Sequence, residues 1–387
     1  MAPFVACGGS SDSSFRGDAV PHGRRRWALA TARKAGYRPA TIAEACEIAA
    51  VTSPVISVAL SVYNGARYLP EQLDSVLAQR DVAIELIAVD DGSTDGSVAV
   101  LRDYACRDRR IQVHVNPANL GATRSFERAM ALGHGALIAP CDQDDRWHPD
   151  KLATLLAALG SHDLAYCNSR YIDERGQPTG RCISDDLPMM EGQRPLSFVF
   201  ANSVSGHAAL LRRSLFEAAR PLAPTLYYDW LLAMAAAGRD GIVYVDRPLV
   251  EFRRHAWTCS TTGRRAGSPS ASRNRQWLRD RRQLASALAT SAFDRHRCAA
   301  RLAAALALAM DGGSRRPLLA EIWRERAQIT PDGKRAAVHA VRLQASLLRK
   351  LRRAGREPPL PPEDEPPPRL PQATAPPGAT AEPSMGN

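Results

Sequence analysis

The chain has 387 residues, of which 45% are hydrophobic, so it can bury a substantial core over one large or two ordinary domains. Its formal net charge is +11; the excess Lys and Arg lie near residues 24–34 and from Arg253 onward, whereas the middle carries most of the Asp. The 8 cysteines form no CxxC pair, zinc-type spacing or dense framework, which excludes a disulfide scaffold and is typical of reduced thiols in a cytosol.

The first segment, residues 1–53, contains no strand-like run, and we expect a weakly ordered leader with one short helix, Ile42 to Ala50. The run Arg24 to Ala30 resembles the start of a signal peptide, but two basic residues soon interrupt it. The longest late apolar run, Leu302 to Met310, is far shorter than the roughly 20 residues of a membrane span. We therefore expect a cytoplasmic protein that contacts the inner face of the plasma membrane at most.

Strand and helix patterns alternate from Val55 onward. The predicted elements are the strand Val55–Val62, the helix Leu69–Gln79, the strand Ile84–Val89, the helix Val98–Cys106, the strand Ile111–Val115, the helix Ser125–Leu132 and the strand Ala136–Ala139. Such alternation implies a parallel sheet with right-handed crossovers, and ligands of these folds bind beyond the carboxyl ends of the strands.

The pattern becomes more mixed between Ser161 and Glu251. Short strands are predicted at Leu164–Cys167 and Ile242–Val245, and helices at Pro149–Leu159 and Trp230–Ala237. The simplest arrangement is one sheet that extends the first. We therefore predict an α/β fold with a mixed, mostly parallel sheet flanked by helices, over a catalytic domain of residues 54–262.

A basic helical extension is predicted for residues 263–356. Its helices are Gln276–Ala289, His296–Met310, Pro317–Ala327 and Lys334–Leu351. The last helix places an apolar stripe among arginines, with Val338, Val341, Ala345, Leu348 and Leu351 on one side. Two interpretations stay open, contact with an anionic membrane and packing against the catalytic domain. The Pro-rich tail, residues 357–387, is predicted to be disordered.

The acidic segment Asp142-Gln143-Asp144-Asp145 directly follows a predicted strand. Three carboxylates at a strand end repel one another unless a cation compensates, and hard oxygen ligands favour Mg²⁺ or Mn²⁺. One carboxylate of an Asp-x-Asp pair can bind the metal while the other lies near a ribose. The alternative is a solvated turn that caps the helix beginning near Pro149.

A second acidic strand end is Asp90-Asp91-Gly92-Ser93-Thr94-Asp95. Glycine permits close backbone approach, and the amides at the next helix start can receive polar or anionic groups. An ordinary turn with an N-cap explains the same residues. The functional interpretation gains weight because two acidic strand ends lie side by side in one parallel sheet.

These motifs, taken in order, resemble family-2 glycosyltransferases, and most of all their rhamnosyltransferase-like branch. The resemblance covers about Val55 to His255 and is carried by Ser61-Val62-Tyr63-Asn64-Gly65, Leu69 to Gln79, Val89 to Asp95, Asn119-Leu120-Gly121 and Asp142 to Asp145. It implies the A-type nucleotide-diphospho-sugar transferase fold, a divalent metal (Mg²⁺ or Mn²⁺) and inversion at the anomeric carbon.

The resemblance also implies roles for individual residues. The donor nucleotide would contact Tyr63, Asn64, Asp90, Asp91, Asp142 and Arg253, with Tyr63 and Asp91 at the base and Asp142 on the ribose side. The metal would be held by Asp144 and His255. Arg253 and His255 match the Arg-x-His that ends the catalytic domain in the family, although Ala256-Trp257-Thr258-Cys259 replaces the usual segment after it.

The acceptor side is predicted further along the chain. An inverting transfer needs a base for the acceptor hydroxyl, and Asp229 is the candidate. Related proteins commonly have His-Asp-Trp-Trp where this chain has Tyr228-Asp229-Trp230-Leu231. Ser205, Gly206, His207 and Trp230 are the predicted acceptor contacts. The alternatives are an N-cap for Asp229 and a histidine satisfied near a turn for His207.

The sequence therefore predicts a metal-dependent enzyme that moves a sugar, rhamnose being one candidate, from a nucleotide diphosphate to a lipid-linked or surface polysaccharide acceptor. A sugar-phosphate nucleotidyltransferase is one alternative, but the loop Ser61 to Arg67 lacks the Gly-rich, basic character of that class. A nucleic-acid-binding protein is another, suggested by the basic ends, but it leaves the acidic centre unexplained.

Overall fold

The computed structural model describes residues 55–255, 270–291, 297–330 and 336–354, apart from the side chains of residues 270–272. The predicted leader with its short helix, the boundary between residues 262 and 263 and the Pro-rich tail lie outside the described residues.

Within the described residues, 9 strands form a single mixed sheet. The strands are β1 Ile56–Val62, β2 Ile84–Asp90, β3 Ile111–Val115, β4 Leu137–Cys141, β5 Arg146–Trp147, β6 Leu164–Ile172, β7 Pro178–Cys182, β8 Ala209–Arg212 and β9 Ile242–Arg253. Their order is β3-β2-β1-β4-β8-β6-β9-β5, and β7 pairs with β6.

The first half of the sheet, β3-β2-β1-β4, is wholly parallel, as the alternation of strand and helix predicts. β1 consists mostly of apolar residues, with two serines, and all but Ser61 are buried, which suits the centre of a parallel sheet. The chain leaves β1 toward β2 on one side and returns to pair β4 on the other. This reversal opens a crevice at the carboxyl ends of β1 and β4, where α/β sheets bind ligands. The two acidic strand ends therefore lie on either side of β1, and the prediction that they are direct neighbours is wrong.

Helices cover both faces of the sheet. Those of residues 55–255 are α1 Leu69–Leu77, α2 Ser97–Arg107, α3 Ala122–Leu132, α4 Lys151–Leu159, α5 Arg213–Ala219 and α6 Tyr228–Ala237. α1 shows why they form: a Pro in its first turn suits the helix start, and Leu69, Leu73 and Val76 recur at helical spacing and are buried. The predicted bounds agree with those observed to within a few residues.

The second half of the sheet contains three strands that the sequence did not predict, β5, β7 and β8. β7 is mostly exposed and has no apolar alternation, and β5 has two residues. β8 has four residues and runs antiparallel between β4 and β6. Helix α5 was missed as well. Such short or exposed elements carry little periodicity, because packing elsewhere in the fold determines them.

The acidic segment after β4 crosses the end of this second half. β4 lies at the middle of the sheet, whereas β5, which begins at Arg146, pairs with β9 at the edge. Residues 142–145 therefore pass the ends of β8, β6 and β9. This route allows one tetrapeptide to contact residues that are 65 to 111 positions later in the chain.

The C-terminal helices are α7 Ser270–Thr290, α8 Cys298–Met310, α9 Arg316–Arg324, α10 Arg326–Ile329 and α11 Ala336–Ala354. Their buried residues, such as Leu284, Leu302 and Leu347, join one hydrophobic core with Ala59 and Ile87 of the sheet. The C-terminal helices therefore share a hydrophobic core with the face of the sheet that carries Ala59 and Ile87. No helix in the described part of the chain is both long and apolar enough to cross a bilayer.

The predicted apolar stripe of α11 is partly wrong. Val338 and Val341 are 49% and 54% exposed, whereas Ala340, Leu347 and Leu351 are buried. The buried face is thus rotated toward Ala340, because the helix packs on α7. Two valines are left among the arginines of the exposed side.

Candidate active site

The loops that follow β1 and β2 are joined by side-chain hydrogen bonds. The Asn64 amide donates to Ser93 Oγ at 2.9 Å, and the Thr94 amide donates to Asn64 Oδ1 at 2.8 Å. The Gly65 amide donates to Ser97 Oγ at 2.9 Å. Asn64 has a φ of 51°, a left-handed conformation that Asn tolerates. The hydroxyl-rich motif after β2 therefore holds the predicted nucleotide loop in place.

The turn interpretation of the second acidic motif is correct in part. Asp95 Oδ1 accepts a hydrogen bond from the Ser97 amide at 2.9 Å, at the first residue of α2. Asp95 Oδ2 also accepts from the Ala66 amide at 3.1 Å. The same aspartate thus binds the first amide of α2 and the neighbouring loop, although the N-cap of the helix is Gly96 and makes no side-chain capping hydrogen bond.

Asp91 is buried and its carboxylate is fully engaged. Oδ1 accepts from Asn116 Nδ2 at 2.7 Å and from the Leu120 amide at 2.8 Å, and Oδ2 accepts from the Gly121 amide at 2.9 Å. Asp91, the predicted contact for the nucleotide base, therefore also fixes the position of the segment Asn119-Leu120-Gly121.

Asp90 is buried as well, but one oxygen is left over. Oδ1 accepts from the amides of Gly92 and Ser93 at 3.1 and 3.0 Å. Oδ2 has no hydrogen-bond partner among the described residues. Gly92 has a φ of 80°, and a Cβ there would lie 3.2 Å from the Asn119 amide nitrogen, so the tight turn requires glycine.

Gln143 ties the acidic segment to the end of β1. Its Oε1 accepts from the Tyr63 amide at 2.8 Å, and its Nε2 donates to the Tyr63 carbonyl at 3.2 Å. A Cβ on Gly65 would lie 2.3 Å from the same Oε1. Gly65 is therefore required for Gln143 to reach the strand. The backbone of Tyr63 is fixed, and its side chain is half-buried.

Asp144 and His255, the predicted metal ligands, lie together. His255 Nε2 is 2.7 Å from Asp144 Oδ2, and both side chains are mostly buried. The ring of Tyr68, which the sequence did not single out, stacks on His255 with centroids 5.3 Å apart. The guanidinium of Arg253 lies over the same Tyr68 ring, 4.7 Å from the ring centroid. An aromatic residue before a helix gives no sequence signal for this role.

Arg253 is buried and holds the acidic segment. Its backbone amide donates to Asp145 Oδ1 at 3.0 Å, and its Nε donates to the Asp144 carbonyl at 2.8 Å. Its guanidinium also forms an ion pair with Glu71 of α1. Through these contacts Arg253 positions the acidic segment. The predicted contact between Arg253 and a diphosphate stays a prediction.

A second group of titratable side chains surrounds His207. Nδ1 lies 3.4 Å from Asp142 Oδ2 and 3.7 Å from Asp145 Oδ2. Nε2 lies 3.1 Å from Ser169 Oγ, and the ring stacks on Phe252 at 4.7 Å. Burial disfavours the imidazolium, but the Asp145 and Asp142 carboxylates outweigh it and raise the pKa of His207. Burial also raises the pKa of Asp145, against the opposing effect of His207.

Lys151 contacts His207 through the backbone carbonyl of the histidine. It is fully buried at the start of α4, and its Nζ donates to the His207 carbonyl at 2.6 Å. Nζ also lies 3.1 Å from the ring centroid of Trp147. Burial lowers the pKa of Lys151 to about 8. A lysine at a helix start normally indicates a solvated surface, so the sequence gave no reason to select it.

Asp229 lies in the first turn of α6, close to the acceptor motif. Burial raises the pKa of Asp229 to about 6, and hydrogen bonds from the Trp230 and Gly206 amides oppose the shift. The charge of Asp142 raises it further. A Cβ on Gly206 would lie 1.9 Å from Tyr228 Oη, so the close packing of this turn on α6 requires glycine. The predicted base and the predicted acceptor motif are thus brought together.

The alternative roles as helix caps do not hold for Asp229 and the acidic segment. In the described structure the N-cap of α6 is Tyr227 and that of α4 is Asp150, and neither makes a side-chain capping hydrogen bond. The acidic segment leads into β5 and not into a helix. Both sets of carboxylates therefore require another explanation.

Trp230, a predicted acceptor contact, packs against the C-terminal helices. Its Nε1 donates to the Phe198 carbonyl, and the Arg281 guanidinium lies 4.2 Å from its ring centroid. Arg281 also lies 5.1 Å from the ring centroid of Trp277. Ser205, by contrast, is half-buried just before the short 3₁₀ turn Gly206–Ala208.

The mixed sheet, with the acidic segment after β4, can be compared with solved structures for its fold. The solved structure of Staphylococcus aureus TarS (residues 1–349), a complex with UDP-GlcNAc, has a TM-score of 0.51 at 17% identity and covers 77% of this chain and 89% of TarS. This similarity confirms the predicted A-type nucleotide-sugar transferase fold, with helices added at the C-terminus.

Sequence comparison specifies the family of the matched segment. Residues 57–219 match the family model Glycosyl transferase family 2. EpsH of Bacillus subtilis, a provisionally named glycosyltransferase, is 31% identical over 217 residues, which are 52% of this chain and 62% of EpsH. TuaG of the same organism, provisionally named a teichuronic acid biosynthesis glycosyltransferase, is 35% identical over 132 residues, which are 34% of this chain and 52% of TuaG.

The chain thus spans between 52% and 62% of the length of these two relatives. The resemblance to family-2 glycosyltransferases is confirmed for the segment that carries the motifs. The rhamnosyltransferase-like branch stays a prediction.

Proposed function

We propose that this chain is an inverting glycosyltransferase that moves a sugar from a nucleotide diphosphate to a hydroxyl of a saccharide acceptor. The observation that carries the proposal is the convergence on one acidic segment. Residues 142–145 contact the nucleotide loop through Gln143, the end of β9 through His255 and the acceptor turn through His207. The groups proposed for the donor side and for the acceptor side are therefore both in contact with the same tetrapeptide.

On the donor side, the β1 and β2 loops form the proposed nucleotide site. Asn64 and Tyr63 line it with backbone positions fixed by Ser93 and Gln143. The leftover oxygen of Asp90 is available to a donor group of the ligand, such as a base N–H. Asp142 at the end of β4 is in position for the ribose side.

Asp144 and His255 would hold a divalent metal. A carboxylate oxygen and an imidazole nitrogen suit Mn²⁺ and accommodate Mg²⁺. A cation held there would supply positive charge to stabilise the diphosphate leaving group. The stacked Tyr68 ring and the Arg253 contacts keep His255 and Asp144 from turning away.

Asp229 serves as the base in this proposal. With a pKa of about 6 the carboxylate is ionised near neutral pH, and it is more basic than an exposed aspartate. It accepts the proton of the acceptor hydroxyl while the oxygen attacks the anomeric carbon in line. The amides of Gly206 and Trp230 hold the carboxylate in place.

The donor and acceptor are proposed at the level of class. The TarS structure contains UDP-GlcNAc, and TuaG is named for teichuronic acid synthesis, so a uridine or thymidine diphosphate sugar and a lipid-linked or cell-surface polysaccharide are the first choices. Rhamnose remains one candidate sugar. Nucleic-acid binding is disfavoured because the acidic segment would repel a phosphate backbone. Nucleotidyl transfer is disfavoured because the loop Ser61 to Arg67 lacks the Gly-rich, basic character of that class.

Peripheral contact with an anionic membrane is part of the proposal. Val338 and Val341 are exposed beside Arg342 on α11, the combination that favours an interfacial helix. Sedimentation with anionic and neutral vesicles tests this: salt-sensitive binding to the anionic ones alone is expected, and a Val338→Ser and Val341→Ser double variant should weaken it.

The first experiment is turnover of a panel of nucleotide diphosphate sugars by purified protein, with and without Mg²⁺ or Mn²⁺. One donor should be consumed only with metal, and Asp144→Ala should lose this activity. Asp150→Ala, a partly exposed aspartate that follows the same segment, is the matched control and should keep it. If no donor binds or turns over with any metal, the catalytic assignment fails although the fold stands.

A further inference from the structure

The C-terminal extension carries far more positive than negative charge. α7 and α11 pack against each other, and each contains five basic residues. Asp280 is the one acidic residue within the bounds of these two helices. The two helices therefore do not balance their own charge. The ten basic residues are Arg273, Arg275, Arg279, Arg281 and Arg282 of α7 and Arg342, Arg349, Lys350, Arg352 and Arg353 of α11.

Two of these cations lie against aromatic rings where α7 meets α6 and α11. The Arg281 guanidinium lies 4.2 Å from the ring centroid of Trp230 and 5.1 Å from that of Trp277. Lys350 Nζ lies 4.6 Å from the Trp277 centroid. The face of a tryptophan ring attracts a cation, but it supplies no net negative charge. The rings thus hold the two cations in place without neutralising them.

Arg281 is the buried member of this group. It is 4% exposed, and its Nε has no hydrogen-bond partner among the described residues. Burial lowers the pKa of Arg281, and the charge of Asp280 opposes this effect. The Asp280 carboxylate, however, accepts a hydrogen bond from Gln276 Nε2 at 2.8 Å. A buried guanidinium without a hydrogen-bonded anion is costly, and an external anion would relieve that cost.

Lys350 has no carboxylate partner in the part of the chain that the structure describes. Its Nζ lies 3.5 Å from Asn274 Oδ1, which is longer than an ordinary N–H···O hydrogen bond. Burial and the charges of Arg281, Arg353 and Arg349 all lower the pKa of Lys350. Because Arg349 and Arg353 are exposed, solvent reaches the group from α11. These four cations therefore repel one another at a place that a solute can approach.

The number of cations favours a phosphoryl group over a carboxylate as the missing anion. A phosphate monoester carries a charge of about −1.5 to −2 at neutral pH and offers three acceptor oxygens. A carboxylate carries one negative charge. A guanidinium donates two parallel N–H groups to a phosphate, and a lysine ammonium adds a compact point charge. A phosphoryl group is therefore the anion that these side chains match.

The location of the group connects it to the acceptor. Trp230, whose ring contacts Arg281, is adjacent in α6 to the proposed base Asp229. The loops after β1 and β2, which are proposed for the nucleotide, contribute none of the four cations. A phosphoryl group bound here would thus belong to the molecule that reaches α6, which is the acceptor.

We propose that Arg281 and Lys350, assisted by the two exposed arginines of α11, bind a phosphoryl group carried by the acceptor. The acceptor is then a phosphorylated saccharide, with the phosphate either on the saccharide or at its link to a lipid. The bound phosphate anchors the acceptor on α7 and α11, beside the helix that carries Asp229. This inference rests on the proposed transfer reaction and specifies the class of its acceptor.

Phosphate binding is tested first without turnover. The full-length chain is titrated with inorganic phosphate in metal-free buffer at constant ionic strength, and binding is followed by phosphorus nuclear magnetic resonance. We expect saturable binding that Lys350→Gln weakens by about tenfold or more, because loss of one charged hydrogen bond has an effect of that size. Arg352→Gln removes an exposed arginine of the same helix that does not act on the pKa of Lys350. This matched control should change the affinity by less than about twofold.

The role in acceptor binding is tested with one saccharide in three forms: an alkyl glycoside, a phosphate monoester and a short-chain prenyl diphosphate. One of the phosphorylated forms should have an acceptor KM about tenfold below that of the alkyl glycoside. Lys350→Gln should remove this difference, and Arg352→Gln should preserve it. Donor hydrolysis without acceptor should be the same in all three proteins. Circular dichroism checks that the variants are folded.

Three results would overturn the site. Equal weakening of phosphate binding by Lys350→Gln and Arg352→Gln, or no saturable binding by the folded chain, would leave only a general effect of charge. Equal KM values for all three acceptor forms would leave a site for free phosphate. Lys350-dependent sedimentation with phosphatidylglycerol vesicles, without any change in acceptor KM, would assign the site to membrane headgroups. Absence of donor turnover with any metal contradicts the proposed transferase, whereas the phosphate titration reports on this site alone.

Discussion

Single side chains at this site combine structural contacts with the chemistry proposed for them. Asp91 makes three hydrogen bonds to the wall of the nucleotide loop, and Arg253 binds the acidic segment through its amide and its Nε. Asp229, by contrast, accepts hydrogen bonds only from nearby amides and lies next to other carboxylates. Its basicity is therefore set by burial and charge.

Replacement of Asp229 by Asn should separate binding from transfer. We expect donor affinity to stay within about twofold and kcat to fall by about 10²–10⁴, because a general base contributes about that factor. Nucleotide titration and turnover on the same preparation measure both. Glu217→Gln, an exposed carboxylate on α5, is the control. Equal loss of binding and turnover would show that Asp229 shapes the donor site instead.

The rate of transfer should depend on pH through the same carboxylate. Burial raises the pKa of Asp229 to about 6, so the active, ionised form is lost as pH falls through that value. We expect kcat to decrease about tenfold per pH unit below it. A profile from about pH 8 to about pH 5, with unfolding monitored in parallel, measures this. A flat profile over that range contradicts the assignment.

At the scale of elements, the strands that surround the nucleotide loops could be predicted from the sequence. β1 and β2 are long apolar runs buried on both faces, so their pattern is strong. β8 could not be predicted because four residues carry no periodicity. The contact of His207 with Asp142 depends on β8 pairing with β4, which no local pattern encodes.

The same limit applies to the site. Motif order located the acidic segment, His255 and Asp229, whereas Tyr68, Lys151 and Ser169 had no motif to mark them. These residues act through contacts between segments far apart in the chain. Only the sheet order shows that the segment after β4 passes the ends of β8, β6 and β9.

The contact between the β1 loop and the acidic segment predicts a double-mutant cycle. Gly65→Ala places a Cβ 2.3 Å from Gln143 Oε1, and overpacking of this kind costs about 1–3 kcal/mol. In a Gln143→Ala background the same substitution should cost about 0.5 kcal/mol or less, because the clash is gone. Chemical denaturation of the four proteins measures the coupling. Additive effects would mean that Gln143 moves aside freely.

The C-terminal helices pack against the sheet and against α6, the helix that carries Asp229. The C-terminal helices share one core with the sheet, and Arg281 of α7 lies between Trp230 of α6 and Trp277. Arg281 is buried, and burial lowers its pKa to about 10. The extension therefore contacts the helix that carries Asp229, one residue away from the proposed base.

Removal of the Arg281 guanidinium should affect stability and acceptor use together. Arg281→Met keeps the apolar stem but loses the stacking, which contributes about 1–2 kcal/mol when desolvated. We expect a lower unfolding midpoint and a higher acceptor KM at unchanged donor affinity. Arg282→Met, the neighbouring and more exposed arginine, should do neither. An unchanged KM would limit the role of the extension to stability.

The antiparallel pairing of β8 with β4 has a consequence for how proteins with this fold can diverge in evolution. Apart from Arg253 and His255 at the end of β9, the groups proposed to bind the donor precede β5, and the turn before β8 is reached only through the long excursion between β6 and β8. That excursion is not part of the register of the four parallel strands. A lineage built on this sheet could therefore acquire new acceptors while it inherits one donor pocket.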